Sequence, residues 1–356
     1  MLEEESKLTD LLKLIAPGTP IRDGLENVLR AKTGALLLIT DKEDVIKEIV
    51  DGGFYINEEY TSSKLYELAK MDGAIVLSGD LKRILFANAQ LIPSRNIETK
   101  ETGTRHRTAE RTAKQTGELV ISISQRRNLI TIFKGEYRYI LEDTNAVLNK
   151  ANQGIQTLER YKKVFDNILS ILNEYEFNDI VTLKNVIDVI QRAEMVTKIA
   201  DEIRKQIYEL GVDGRLVSMQ LEELMDGLER EELLIIKDYM VVAKRKRRTP
   251  EKVLDELSKL SHDELNKEGV IAKLLGYEPF DNYDEVGVYT RGYRLLSKIP
   301  RMPSNIVENL VASFKSFQHI LDANIETLDD VDGIGEIRAR TIKQSLRRMQ
   351  EQFMFE

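Results

Sequence analysis

Short apolar runs separated by turn residues dominate the first 147 residues of the chain. Residues 35–40 (ALLLIT) form a compact apolar run, which is typical of a strand buried on both faces. Residues 74–78 (AIVLS) and 84–91 (ILFANAQL) flank Gly79-Asp80. A turn pair between two apolar runs predicts a β-hairpin.

The same pattern continues towards residue 147. Residues 119–124 (LVISIS), 129–133 (LITIF) and 137–141 (YRYIL) predict further strands, joined by turns at 125–128 and 134–136. An amphipathic segment at residues 8–15 ends at Ala16-Pro17-Gly18, and Pro20 begins a second predicted helix. We therefore expect residues 1–147 to form an α/β domain with a central mixed β-sheet of at least five strands flanked by helices.

The pattern changes after Asn145. Residues 148–286 contain few turn signals, and their apolar positions follow helical spacing. The first of these positions are Leu148, Ile155, Leu158, Tyr161, Val164, Ile168 and Ile171. We expect an all-α helical spacer, and a narrow apolar stripe on long helices can equally form an oligomer seam.

Residues 287–356 contain two successive helix–turn–helix patterns, at 294–314 and 325–346. The second turn, Gly333-Ile334-Gly335, resembles the Gly-apolar-Gly turn of the helix-hairpin-helix family. Two glycines let the backbone approach a phosphate, and the free amides of the following helix point at it. A plain αα-corner with a glycine C-cap is the alternative.

Basic residues follow the Gly333-Ile334-Gly335 turn. The turn of the first helix–turn–helix pattern contains prolines at the positions where glycines would stand. Arg338, Arg340 and Lys343 lie on the second helix, and such contacts fix position on a nucleic-acid backbone without reading bases. Residues 288–356 contain ten basic and nine acidic residues. This all-α helix-hairpin-helix domain is therefore expected to bind DNA with modest, salt-sensitive affinity.

Composition excludes several classes of function. The chain contains no cysteine and three histidines, and its net charge is −8. Disulfides, thiolate metal sites and bulk coating of nucleic acid are thereby excluded. No apolar run is long enough to span a membrane, and the N-terminus lacks a secretion signal, so we expect a cytoplasmic location. The one dense basic run, residues 244–248 (KRKRR), is interpreted as a solvated helix end before Thr249-Pro250.

Two elements of the N-terminal region can carry chemistry. Asp72-Gly73 precedes the predicted strand at 74–78. There the carboxylate can hold a divalent cation while the glycine lets the backbone approach a ligand. An Asp-Gly pair is also a common turn.

The second element is residues 101–117 (ETGTRHRTAERTAKQTG). Thr104 or Thr108 is a plausible N-cap, with Glu110 in the first turn. A helix N-terminus favours anions, and Arg105, His106 and Arg107 would add a cradle for a polyphosphate. The alternative is a surface basic loop with ordinary ion pairs to Glu101 and Glu110.

Together, the motifs at residues 72–74 and 103–108 resemble those of the diadenylate cyclase family. With its helical middle and hairpin tail, the whole chain resembles the members that carry a C-terminal helix-hairpin-helix domain. Residues 64–78, 101–111, 291–296 and 331–340 carry this resemblance. It implies condensation of two ATP molecules into cyclic di-AMP and two pyrophosphates.

The resemblance also implies residue roles. Asp72 would be the catalytic carboxylate that binds Mg²⁺ or Mn²⁺, Gly73 would lie close to the nucleotide, and Leu91 would line the adenine or ribose pocket. Further residues are expected to surround the phosphates: Thr104, Arg105, His106, Arg107, Thr108, Ser124 and Arg127. Of these, Arg105, His106 and Arg107 are also expected to be catalytic.

The chemistry of the product sets a requirement for assembly. Each 3′-hydroxyl attacks the α-phosphate of the other ATP, so two copies of the site must face each other in at least a dimer. The resemblance implies an octamer, a DNA-associated location, and binding of branched DNA such as Holliday junctions coupled to synthesis. Two alternatives remain: a non-catalytic, nucleotide-sensing DNA-binding scaffold, and a nucleotidyltransferase that acts on nucleic-acid ends.

Overall fold

The computed structural model describes residues 9–241 and 248–355. Leu8 and residues 244–247 of the basic run, for which a helix end was predicted, lie outside the described residues. The chain divides into two compact units, Met1–Asn152 with Lys205–Val217, and Gln153–Arg204 with Ser218–Glu356. The domain boundaries predicted near residues 147 and 286 stay predictions, because these units divide the chain differently.

The first unit contains a mixed sheet of eight strands. Strand β1 pairs in parallel with β4, and the other pairings are antiparallel. The strand order is β2-β5-β4-β1-β6-β7-β8, and β3 also pairs with β5. The strands are β1 (Ala35–Ile39), β2 (Val50–Asp51), β3 (Phe54–Glu59), β4 (Ala74–Leu77), β5 (Arg83–Leu91), β6 (Leu119–Ser124), β7 (Leu129–Lys134) and β8 (Tyr137–Leu141).

Helices cover both faces of this sheet. Strand β1 is therefore buried on both sides, which explains why its sequence is apolar throughout. Leu37 and Ile39 pack into a cluster with Leu25 of α1, whereas Leu36 and Leu38 pack against Ala109 of α4. The predicted α/β domain is confirmed, including the hairpins β4-β5, β6-β7 and β7-β8. Residues 9–14 are helical; the named helices are α1 (Pro20–Arg30), α2 (Glu43–Ile49), α3 (Ser62–Leu68) and α4 (Thr104–Thr116).

Strand β3 was not predicted from the sequence. It is an edge strand whose first side chains, Phe54 and Tyr55, are 59% and 66% exposed. Asn57 then takes a positive φ of 50°, where the pairing with β5 shifts register. Without one buried face, the segment has no alternation of apolar and polar residues to signal a strand.

The helical middle and the helical C-terminal region are also confirmed. Two long helices, α5 (Thr144–Asn178) and α6 (Leu183–Leu210), begin this part of the chain. The helices that follow are α7 (Arg215–Met225), α8 (Leu228–Tyr239), α9 (Pro250–Ser258), α10 (His262–Leu265), α11 (Glu268–Leu275), α12 (Tyr293–Ser297), α13 (Ser304–Phe314), α14 (Phe317–Asp322), α15 (Ile325–Asp329) and α16 (Glu336–Phe355). No helix of the described residues is long and apolar enough to cross a membrane.

A buried arginine ties together three helices of the second unit. The Arg294 side chain on α12 is fully buried and pairs with Glu176 of α5 and, at 3.0 Å, with Glu231 of α8. Its Nη1 also donates to Asn173 Oδ1 at 2.7 Å. Because a buried charge is stable only when its partners are all in place, the network fixes how these helices pack.

A second buried cluster consists of two carboxyl groups. Glu194 of α6 and Glu232 of α8 are hydrogen-bonded to each other and almost fully buried. Burial raises the pKa of Glu194 to about 7, although Lys198 opposes the rise. Burial and the neighbouring Glu194 raise the pKa of Glu232 as well. The pair therefore shares a proton near neutral pH.

This pair predicts a specific dependence of stability on pH. An unfolded glutamate loses its proton near pH ~4.3, but burial keeps Glu194 protonated until about pH 7 and raises the pKa of Glu232 as well. The free energy of unfolding of the second unit should therefore fall as the pH rises through this window. Glu232→Gln should make that fall shallower, because one of the two buried carboxyl groups no longer titrates; this is measured by urea denaturation at several pH values. The exposed Glu223→Gln is the control, and an unchanged pH dependence in Glu232→Gln would contradict the assignment.

Candidate active site

The Asp72 turn lies between α3 and β4 and is held by a close backbone contact. The Gly73 amide donates to Asn88 Oδ1 of β5 at 3.2 Å. A Cβ on Gly73 would stand 2.8 Å from the Ala89 nitrogen and closer still to the Asn88 backbone. Only glycine allows this approach, which leaves the Asp72 side chain fully exposed at the end of the sheet.

The Gly103 loop leads directly into α4. Gly103 is the N-cap and Thr104 is the first helical residue, so the prediction of a Thr104 or Thr108 cap was wrong. Glu110 is not in the first turn; its buried carboxylate accepts hydrogen bonds from Thr99 Oγ1 and the Lys100 amide. The glycine was overlooked because it caps without a side chain, and Glu110 serves instead to hold the loop before the helix.

Arg105 brings the two motifs together. Its Nη2 lies 3.6 Å from Asp72 Oδ1. The guanidinium also lies against Gly34, where an added Cβ would meet it and would stand 3.1 Å from the Ile123 carbonyl. The ion pair is loose and partly exposed, so the guanidinium remains available to an incoming anion.

His106 lies between two strands. Its Nδ1 is 3.2 Å from Ser122 Oγ of β6, and its Nε2 is 3.4 Å from Thr131 Oγ1 of β7. Burial, aided by the charges of Arg127 and Arg138, lowers the pKa of His106 despite the opposing charge of Glu101. The imidazole is therefore neutral at neutral pH, so it differs in character from the arginines that flank it.

The other predicted residues range from exposed to buried. Thr104, Arg107 and Arg127 are exposed, and Thr108 is half-buried. Ser124 ends β6, and its Oγ accepts from the Arg127 amide at 3.2 Å. Leu91 is buried in the apolar cluster beneath α4.

The strand register places these groups at one edge of the sheet. Ala35 is opposite Ile123, and Ala74 is opposite Ala89. The starts of β1 and β4 therefore meet the ends of β5 and β6, next to the N-terminus of α4. This edge combines an exposed carboxylate, free helix amides and several basic side chains, which suits a metal-bound polyphosphate.

Four positioning residues escaped the sequence analysis: Gly34, Asn88, Ser122 and Thr131. Ser122 and Thr131 are paired across β6 and β7 and buried. Polar residues at buried positions of two apolar strands are an informative signal. Here they mark the place where the His106 ring packs. The sequence carries no comparable signal for Gly34 or Asn88, since both matter through contacts with distant segments.

The oxygen ligands that the site can provide fit a divalent cation that is also bound by a substrate. Among the residues described by the structure, no group of three or more histidines or carboxylates could hold a metal ion. Mg²⁺ commonly binds through one or two carboxylates together with substrate phosphates. The exposed Asp72 carboxylate can therefore take part in such a site once a triphosphate supplies further oxygens.

The predicted DNA-contact residues surround the turn between α15 and α16. Gly333 has a positive φ of 81°, and a Cβ there would stand 2.6 Å from Ile306 Cδ1. Ile334 is buried, and Gly335 and Arg338 are exposed. Arg340 pairs with Glu336 at 2.6 Å, and Lys343 donates to the carbonyls of Leu321 and Ala323. Arg338 Nη1 also donates to the Gly333 carbonyl, so both Arg338 and Lys343 contact the backbone of the fold.

The chain is similar to known proteins over its whole length. Residues 22–137 match a family model described as DisA bacterial checkpoint controller nucleotide-binding, and residues 141–283 match the DisA linker region. The DNA integrity scanning protein DisA of Clostridium botulinum (strain Loch Maree / Type A3) is 51% identical over 100% of this chain and 99% of its own length. The DisA protein of Clostridioides difficile (strain 630) is 56% identical over 96% of this chain and 94% of its own.

The fold and these matches define the class of protein. It is a diadenylate cyclase, a nucleotidyltransferase whose substrate is ATP, which confirms the expected enzyme class. The aligned length includes the helical middle and the C-terminal region, and the overall identity exceeds one half. The chain therefore belongs to the DisA family.

The contact between Gly34 and Arg105 predicts a selective loss of activity. Gly34→Ala should displace the guanidinium from Asp72 and lower the rate of cyclic di-AMP formation about tenfold or more, because small misplacements of catalytic groups are costly. Gly287→Ala is the matched control, since a Cβ there meets nothing within 4 Å. Rates and thermal unfolding are measured for both variants; an unchanged rate in Gly34→Ala would contradict this role of Gly34.

Proposed function

We propose that the chain condenses two ATP molecules into cyclic di-AMP and two pyrophosphates at the sheet edge that holds Asp72 and Arg105. The observation that carries the proposal is the 3.6 Å approach of these two side chains. It joins a carboxylate able to share a cation with a guanidinium able to bind phosphate. Neither motif alone is specific, but their meeting at a helix N-terminus matches the needs of phosphoryl transfer.

In this mechanism the protein aligns the substrates and neutralises charge. Arg105 and the α4 amides bind the triphosphate, with Thr104, Arg107, Thr108, Ser124 and Arg127 around it. The neutral His106 orients the first turn of α4 through Ser122 and Thr131. Leu91 lies beneath the nucleotide, and Gly73 lets the base or ribose come close. Mg²⁺ or Mn²⁺, held by Asp72 and the phosphates, would supply charge stabilisation at the reacting phosphorus.

The active unit is at least a dimer. One ATP provides the 3′-hydroxyl and the other the α-phosphate, and the two roles are then exchanged. Because the product is two-fold symmetric, two copies of the site must face each other. A family-type octamer of such pairs is part of the proposal.

Replacing the Asp72 carboxylate tests the assignment. Asp72→Asn should lower product formation from ATP with Mg²⁺ or Mn²⁺ by a factor of about a hundred or more, because the cation loses its protein ligand. Thermal unfolding should be unchanged, since the side chain is fully exposed. Asp44→Asn, another exposed carboxylate, is the control. Retained synthesis in Asp72→Asn would overturn the catalytic role.

Co-expression extends this test to the dimer. If two chains complete each site, mixed pairs of parent and Asp72→Asn chains should be nearly inactive. Activity should then fall faster than the fraction of parent chains. A fall in simple proportion would mean that each chain works alone.

The C-terminal region is proposed to bind branched DNA such as Holliday junctions. Supporting this are the positive φ of Gly333, the free amides at the start of α16 and the exposed Arg338. The relatives' name, DNA integrity scanning protein, also supports a DNA partner. We further propose a cytoplasmic, DNA-associated location.

Binding of a junction is proposed to change the rate of cyclisation. Added four-way junction should lower cyclic di-AMP synthesis, because the strained assembly would no longer keep both halves of the site in register. The rate is measured with junction and with single-stranded DNA of the same composition as control. Equal rates would remove the coupling. ATP binding without product would favour a nucleotide-sensing scaffold, and label transferred to DNA would favour an end-modifying nucleotidyltransferase.

A further inference from the structure

An exposed isoleucine stands at the start of α16, at a position that faces the proposed DNA. Ile337, in the first turn of α16, is 85% exposed. Single exposed apolar residues are ordinary on protein surfaces. Here, however, the side chain stands beside the amides that would face phosphates, where a polar residue would suit a purely electrostatic contact.

The surroundings of Ile337 form a groove of mixed character. Its volume is about 690 Å³, and it lies between the α12–α13 turn and the first turns of α16. Apolar groups from Ile299, Pro300 and Met302 contribute to one wall, and Ile337 belongs to the other.

The charges around the groove favour an anionic occupant. Arg301 and Arg338 line it, and neither forms an ion pair with a carboxylate of the described residues. Glu336 also lines it, but its carboxylate is paired with Arg340 at 2.6 Å. Arg338 also donates from Nη1 to the Gly333 carbonyl, so its remaining N–H groups and the whole Arg301 guanidinium face the groove without a carboxylate partner.

We infer that Ile337 inserts against unstacked bases at a DNA branch point and gives the C-terminal region its preference for branched over linear DNA. This inference rests on the proposed DNA binding. Apolar wedges of this kind enter between bases where stacking is already weakened. A continuous duplex keeps its bases stacked and exposes no base face to an apolar side chain, so the arginines and helix amides would bind its phosphates without using Ile337.

The inference is tested with the full-length chain on two DNA probes. One is a four-way junction with 2-aminopurine at the branch point, and the other is a linear duplex of the same arm sequence. Ile337→Ser should weaken junction binding about tenfold, the factor expected for loss of a partly buried aliphatic contact. Its affinity for the duplex should stay within about twofold of the parent. The parent should raise 2-aminopurine fluorescence by unstacking the base, and Ile337→Ser should not.

Two controls separate the wedge from other roles. Ile337→Met should keep the junction preference, because it keeps a flexible apolar side chain. Ile180→Ser, at another exposed isoleucine, should change neither affinity. DNA-free cyclase activity should be unaltered in all three variants.

The outcomes also distinguish this inference from the proposed function. If the parent binds neither probe, DNA binding itself fails and the wedge with it. If the parent binds both and Ile337→Ser weakens them equally or not at all, the wedge alone is overturned. A change in oligomer size in Ile337→Ser would assign the residue to a contact between copies of the chain and would also overturn it.

Discussion

The approach of the Gly73 backbone to β5 is the contact on which the candidate active site depends. It brings the turn before β4 against the Asn88 and Ala89 backbone, where any Cβ would collide. Asp72 is thereby presented at the sheet edge rather than folded back onto it. Arg105 can reach that carboxylate only because Gly34 leaves its guanidinium room. Gly73 and Gly34, from separate segments, thus allow Asp72 and Arg105 to approach each other. The two sequence motifs indicated this approach only in general terms.

Apolar patterning was a good guide wherever burial is one-sided or complete. The two-sided packing of β1 and the three hairpins follow from the runs at 35–40, 74–91 and 119–141. Strand β3 could not be predicted, because Phe54 and Tyr55 are exposed and nothing alternates along it. The motif residues around Asp72 and Arg105 were identified by their resemblance to a family. Physical reasoning alone did not decide whether either motif is functional or an ordinary turn or loop.

Contacts between distant segments explain what sequence reasoning missed in the site. Gly103 caps α4 without a side chain, so the threonines on either side of the arginines drew attention instead. The sequence grouped His106 with the two arginines as a phosphate ligand. In the structure its ring lies against Ser122 and Thr131, and burial keeps it neutral. A residue's role here depends on which partners the fold brings to it.

The partners of the basic residues near the C-terminus have a consequence for how the proposed DNA binding would respond to salt. Arg291, Arg294, Lys298 and Lys343 are held by carbonyls or carboxylates inside the second unit. Arg340 and Arg347 pair with glutamates one turn away. Arg338 donates from Nη1 to the Gly333 carbonyl. Within residues 288–355 this leaves Arg301, Lys315 and Arg348 without such a partner to displace the cations condensed on a phosphate backbone. Each displaced cation adds about 0.9 to the slope of log affinity against log salt concentration. So few available charges would give a shallow slope. The proposed DNA binding at physiological ionic strength would then depend on shape and apolar contact more than on counterion release.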